Sequence, residues 1–147
     1  MIISEAIKNG SKALSYKSIP NAYLDSEILM AKAINRDRKY ILLNSNKKIS
    51  KENLSFFNKL INERLKRKPI AQLTNQKFSW SSEFYINNHT LIPRPDTELI
   101  VENILKLTKH KKKLSILDIG VGSGCILLSV LKEKKDLYGT GIDVSKN

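Results

Sequence analysis

Residues 114–143 read LSILDIG, VGSG, CILLSVLKEKK and DLYGTGID, and no other stretch limits the fold as tightly. The first segment is a continuous apolar run, as expected of a strand buried on both faces. A glycine-rich turn follows. The third segment has helical spacing and turns Ile126, Leu127, Val130 and Leu131 to one side. The fourth is a second short strand ending in an acid. Two strands joined through a helix run parallel, and such crossovers are right-handed. The stretch therefore predicts a βαβ unit at the start of a doubly wound α/β sheet.

The turn also predicts a ligand. Glycines after a strand let a ligand approach the backbone, and the following helix aims its first N–H groups there. The loop is Gly120-Val121-Gly122-Ser123-Gly124, a G-x-G-x-G. The dinucleotide fingerprint would place Gly or Ala at position 125, where this chain has Cys125. Asp118 lies two residues before the first glycine, and Asp143 closes the second strand nineteen residues after Gly124. An acid at that strand end can bond both hydroxyls of a ribose. The set fits an adenosine ligand without a pyrophosphate, which favours S-adenosyl-L-methionine over NAD. The plain alternative is a tight turn that serves packing alone.

Upstream the pattern changes twice. Up to residue 68 it is helical. Ile3, Ile7, Gly10 and Leu14 share a face of a first helix, and Pro20 opens a second with Leu24, Ile28, Ala31 and Ile34. Asp37 can cap a short third helix, RKYILLN. Ser50 can cap a fourth, with Leu54, Phe57, Leu60, Ile61 and Leu65 as its buried stripe, and Pro69 ends it. KFSW and EFYIN, separated by SS, predict a hairpin. In LIPRPDTELIVE two prolines stiffen the chain around Arg94, and Asp96 or Thr97 can cap a helix whose apolar face is Leu99, Ile100, Ile104 and Leu107, interrupted by Asn103. The expected organisation is a helical docking domain over 1–69, a hairpin linker over 70–92 and the start of a cofactor domain over 93–147.

Composition narrows the setting. The longest apolar runs fall short of the ~18 residues of a membrane-spanning helix, and the first residues lack the apolar core of a signal peptide. One cysteine excludes an internal disulfide and fits a reducing cytoplasm. The net charge of +12 invites nucleic acid as a partner. The cations are mostly lysines, however, and the densest run, KHKKK at 109–113, reads as a solvated connection.

LDIGVGSGCILLSVL with GIDVS resembles the first two cofactor motifs of class I methyltransferases. RKPIAQLTNQKFSWSSEFYINNHTLIPRPDTELIVE is more specific, and resembles the signature of the peptide chain release factor glutamine methyltransferases, the HemK/PrmC family. DSEILM at 25–30 resembles part of that family's N-terminal helical domain. The resemblance covers essentially the whole chain. It implies an enzyme that methylates the side-chain amide nitrogen of the glutamine in the Gly-Gly-Gln motif of release factors, monomeric when complete. It also implies that Gly120, Val121, Gly122, Ser123 and Gly124 line the methionine and adenosine portions of the cofactor. Asp143 would take the ribose hydroxyls, Asp118 would support the loop and the cofactor's amino end, and Arg94, Pro95 and Thr97 would stand beside the site.

The family orients the substrate amide with an Asn-Pro-Pro-Tyr motif at the end of a later strand, and no such motif occurs in these residues. The nearest string, SIPN at 18–21, lies in the helical region. The chain is expected to be the N-terminal part of such an enzyme, truncated after the second strand of the sheet, with no catalytic group of its own and an inactive βαβ half prone to aggregate. Two other functions compete: a methyltransferase for amino groups of nucleic-acid bases, which would need a similar Pro-Pro motif, and a non-catalytic module that binds protein or RNA. Cys125 reads as a small packing residue. His89 and His110 have no partners at metal-ligand spacing, so no metal site is expected. Trp80 and Phe84 read as hairpin core, and Glu98 with Glu102 as a solvated helix face.

Overall fold

A computed structural model describes residues 1–146. It divides into two units, Met1–Thr74 and a second that starts at Asn75. Seven helices and four strands are formed among the described residues, in keeping with the start of an α/β methyltransferase fold behind a helical region.

The first unit is all helix: α1 (Ile3–Tyr16), α2 (Ala22–Ala33), α3 (Arg38–Leu43), α4 (Lys51–Leu65) and α5 (Ile70–Thr74). Two helix starts follow their capping chemistry. Asp37 accepts from the Tyr40 N–H at 2.7 Å and Ser50 accepts from the Asn53 N–H at 3.1 Å. Ile3, Ile7, Gly10 and Leu14 are buried on α1, and Phe57, Leu60 and Ile61 on α4, with Leu54 and Leu65 half-buried beside them.

α2 departs from the expected stripe. It begins after Asn21, which is left-handed at φ 57°, and Leu24 points to solvent. Its buried residues are Ala22, Asp25, Ser26, Glu27, Leu29, Met30, Ala31 and Ala33. The reason is position: α2 packs against α1, α3, α4 and α5. A helix enclosed on several sides has no single apolar face for periodicity to find. Its acids are paired instead. Asp25 Oδ2 meets Arg64 Nε at 2.8 Å, and Glu27 Oε2 meets Arg38 Nη2 at 2.7 Å. Residues 70–74, grouped with the hairpin in the sequence, form α5 and pack on α2 and α4.

The second unit opens with the hairpin, β1 (Gln76–Ser79) and β2 (Ser82–Tyr85), antiparallel with Gln76 opposite Tyr85. Then come α6 (Thr97–Leu107), β3 (Ser115–Ile119), α7 (Cys125–Glu133) and β4 (Tyr138–Ile142). β3 and β4 pair in parallel, with Ser115 opposite Tyr138 and Ile119 opposite Ile142, so the βαβ unit is formed. Val101, Val130 and Leu137 centre the core, joined by the half-buried Trp80, Ile104, Leu105, Leu114, Ile116, Ile126 and Leu131.

Two burial patterns differ from those the sequence predicts. On α6, Leu99, Ile100 and Leu107 face solvent, and Val101 with Ile104 and Leu105 face inward. The helix is apolar on two sides, and α7 packs on the one that bears Val101. β3 is covered on one face only. Ile116 turns toward α7, whereas Leu117 and Ile119 are 58% and 75% exposed beside Tyr138 and Ile142 of β4.

Candidate cofactor site

The glycine loop joins β3 to α7, and its shape is set by backbone bonds to the end of β4. The N–H groups of Gly120 and Val121 both donate to the Ile142 carbonyl, at 2.8 and 3.0 Å. The Gly122 N–H donates to Asp143 Oδ2 at 2.8 Å, and the Ser145 N–H donates to Asp143 Oδ1 at 2.9 Å. These bonds, Ser145 first and Gly122 second, hold the Asp143 carboxyl below the usual carboxylate range. The acid that ends the second strand is thus also the clamp on the loop.

The glycines divide into two kinds. Gly120 and Gly122 take φ of 78° and 53°, and a Cβ at either would meet no protein atom closer than 3.9 Å. They permit the left-handed turn and leave open space in front of it. Gly139 and Gly141 of β4 serve packing. A Cβ on Gly139 would come 2.7 Å from Leu131 Cδ1, and one on Gly141 would come 2.7 Å from Val121 Cγ2. Val121 therefore sits on the strand, and the loop rests there because Gly141 has no side chain. Nothing in the glycine motif itself points to Gly141; alternate glycines in YGTGI are the signal that could have found it.

A cleft of about 610 Å³ opens beside the loop, within the range of small-molecule sites. One wall is the hairpin and the segment after it: Ser82, Glu83, Phe84, Tyr85, Asn87 and Thr90. Facing it are Gly122 and Ser123 of the loop with Leu128 and Lys132 of α7. Gly124 caps α7 at φ 75°, and Cys125 is buried beneath it. The first turn of a helix leaves N–H groups unpaired, and this one points them at the loop.

The other residues singled out from the sequence are distributed as follows. Asp118 is half-buried on β3, opposite Gly141. Its carboxylate has no hydrogen bond or ion pair among the described residues, and the bond that holds the loop comes from Asp143 instead. Arg94 and Pro95 are exposed and Thr97 is half-buried, in a tight turn where the Thr97 N–H donates to the Arg94 carbonyl at 3.0 Å. The cleft lining does not include them. Asp96 occupies the cap position of α6 in helical conformation and makes no side-chain cap bond. Phe84 is hairpin core, and Trp80 is half-buried at the turn. Glu102 pairs with Lys106 at 2.6 Å, whereas Glu98 reaches the hairpin, accepting from the Trp80 N–H at 2.8 Å. Among the described residues no group of His, Cys, Asp or Glu could hold a metal ion, and no helix is long and apolar enough to cross a membrane.

The parallel βαβ unit with its glycine loop and the acid after its second strand defines the start of an α/β fold. Comparison with known proteins is more particular. The family model for the PrmC N-terminal domain matches residues 5–74. The chain is 39% identical over 145 residues to the release factor glutamine methyltransferase of Buchnera aphidicola subsp. Baizongia pistaciae, covering 95% of this chain and 52% of the relative. It is 38% identical to the release factor glutamine methyltransferase of Leptospira interrogans, covering 95% of this chain and 49% of that one. It is 32% identical to a bifunctional methyltransferase of Rickettsia bellii, covering 97% of this chain and 30% of the relative. Residues 5–74 are thus a PrmC N-terminal domain, and the chain spans about half the length of the release factor methyltransferases it matches.

Proposed function

We propose that these residues supply the helical docking unit and the first part of the S-adenosylmethionine site of a release factor glutamine methyltransferase of the cytoplasm. The observation that carries the cofactor assignment is the open cradle at Gly120 and Gly122, closed at one end by Asp143. A Cβ at either glycine would meet no protein atom closer than 3.9 Å, which leaves the space in front for a ligand. Each oxygen of Asp143 accepts one backbone N–H and keeps a second lone pair, which suits two ribose hydroxyls. Asp118, half-buried and unpaired among the described residues, suits the cofactor's ammonium end. Gly120 to Gly124 then form the floor beneath the methionine and adenosine portions. The names of the relatives from Buchnera and Leptospira support glutamine of a release factor as the methyl acceptor.

The bound cofactor supplies an electrophilic methyl group on a sulfonium. The chain's own residues bind and orient it: Asp143 fixes the ribose, the loop backbone fixes the chain that carries the sulfonium, and the hairpin wall excludes water. An amide nitrogen is a poor nucleophile, and it reacts only when held in line with its hydrogens accepted by fixed oxygens. The Asn-Pro-Pro-Tyr motif that does this in the family does not occur in these 147 residues. They therefore bind and position, and the turn of Arg94, Pro95 and Thr97, outside the cleft lining, supplies no reacting group.

The test is a splice. Residues 1–146 are joined to the second half of the Leptospira relative, and the product is given methyl-labelled S-adenosylmethionine and a release factor. Label on the glutamine of the Gly-Gly-Gln motif is expected. The 147-residue chain by itself should transfer none. A folded splice that binds the cofactor yet labels no release factor would count against the substrate. Turnover by the 147-residue chain alone would show that the reacting groups lie within it.

A further inference from the structure

The turn of the hairpin is fastened to two helices by three side chains. At its tip Trp80 takes φ 54°, a left-handed conformation that a bulky residue adopts at a cost. Its N–H donates to Glu98 Oε1 at 2.8 Å, and the Ser79 hydroxyl lies 3.5 Å from the same oxygen. Its indole N–H donates to Glu133 Oε1 at 3.0 Å. Lys132 Nζ donates to the Ser81 carbonyl at 2.8 Å and to Ser82 Oγ at 2.9 Å. Glu98 stands in the first turn of α6, and Lys132 and Glu133 in the last turn of α7. Four consecutive residues of the turn are thus held from two sides.

The strand that leaves this turn is the wall of the cleft. β2 begins at Ser82 and presents Ser82, Glu83, Phe84 and Tyr85 across from Gly122 and Ser123. Lys132 belongs to both sets: it lines the cleft and bonds the turn.

We propose that Glu98 is a positioning residue of the cofactor site: with Lys132 and Glu133 it holds the strained Trp80 turn, and thereby sets the gap between the β2 wall and the glycine loop. The proposal deepens the cofactor assignment and rests on it for the identity of the ligand. Glu98 is not among the residues that line the cleft, and its bonds go to Ser79 and Trp80, so its effect passes through the hairpin. The bonds lie at the surface, where each contributes little to global stability. Their combined effect is geometric: without Glu98 the Trp80 N–H loses its acceptor, φ can relax to negative values, and the strand that follows shifts. A displaced wall costs ligand affinity more than it costs folding.

Trp80 is the sole tryptophan, so the chain carries its own probe. In the 147-residue protein without ligand, Glu98→Ala should move Trp80 emission to longer wavelength and raise its acrylamide quenching about twofold, as expected for a locally opened segment. The backbone amides of Phe84 and Tyr85 should exchange faster. Glu98→Gln keeps a carbonyl oxygen for the Trp80 N–H and should match the parent in each measurement. Lys132→Met removes the second attachment and should shift Trp80 in the same direction, which keeps the test available if Glu98→Ala does not fold. Parent-like spectra and exchange in Glu98→Ala, or in Lys132→Met where the first does not fold, would overturn the proposal. So would a Glu98→Gln variant as perturbed as Glu98→Ala. A titration with S-adenosylmethionine separates this from the cofactor assignment: about a tenfold loss of affinity in Glu98→Ala with rescue by Gln is expected. Equal affinity in parent and Glu98→Ala would overturn the role in the site. The titration is made in the splice with the second half of the Leptospira relative, which completes the site; absence of binding in that parent would count against the cofactor and leave the ligand-free measurements to decide the role of Glu98.

Discussion

Asp25 on α2 and Arg64 on α4 are separated by 39 positions in the chain and meet as a nearly enclosed ion pair, their side chains 10% and 15% exposed. Arg64 also donates from Nη1 to the Lys68 carbonyl at 3.1 Å, so one guanidinium ties α2 to the exit of α4. Removing one partner strands the other charge in a site built for a pair. Arg64→Met should therefore destabilise the helical unit by about 3 kcal/mol. Replacing both, with Asp25→Leu and Arg64→Met, should recover most of that loss, because an apolar pair has no charge to desolvate. Urea unfolding of the two variants decides it. A single variant with parental stability would mean that water already solvates the pair.

Ser26 lies between two paired acids, Asp25 and Glu27, and its hydroxyl is fully buried with no hydrogen-bond partner among the described residues. An unmet polar group costs more than an absent one. Ser26→Ala should raise stability by about 1 kcal/mol, with alanine's helix propensity adding to the gain. A lowered melting temperature would show that the hydroxyl is satisfied in solution.

The glycine loop and its acid were legible because each depends on local backbone chemistry. A strand, positive-φ glycines and a helix start follow one another within a dozen residues, and the turn forms as the spacing predicts. The caps at Asp37 and Ser50 were legible for the same reason. The faces of α2 and α6 were not. Burial depends on which neighbour covers a face, and periodicity carries no record of the neighbour. Glu98 was hidden for a related reason. An acid in the first turn of a helix looks like a solvated end, and its partner Trp80 lies eighteen positions upstream. The glycine loop on one side of the cleft was therefore readable, and the hairpin wall that faces it was not.

Asp143 gives the loop a dependence on pH. The N–H groups of Ser145 and Gly122 lower its folded pKa beneath the unfolded value. A lowered carboxylate pKa contributes stability above the unfolded value, about 3.9, and that contribution is lost as pH falls through the lower, folded one. The loop should stay anchored from neutral pH down to about pH 4 and release Gly122 only in stronger acid. The Gly122 amide resonance followed against pH reports this directly. A midpoint at or above the ordinary aspartate range would rule the clamp out, and Asp143→Asn should abolish the transition.

One face of the β3–β4 sheet bears Leu117, Ile119, Tyr138 and Ile142, all exposed, with Thr140 between them. In the parallel register Leu117 lies opposite Thr140 and Ile119 opposite Ile142, so these side chains form a continuous surface. α7 covers the opposite face alone. Apolar surface of this kind associates, and unpaired strand edges beside it recruit further strands. The 147-residue chain should therefore self-associate with rising concentration, while the helical unit keeps its native circular dichroism. Ile119→Lys and Leu117→Lys together put two charges at the centre of the face without touching the α7 side. They should lower the association constant by at least about tenfold, since burying an unpaired ammonium costs more than an interface of this size returns. Sedimentation of the two proteins over a concentration series makes the comparison. Unchanged association in the double variant would place the contact elsewhere, and the next surface to charge would be Leu99 and Ile100 on α6.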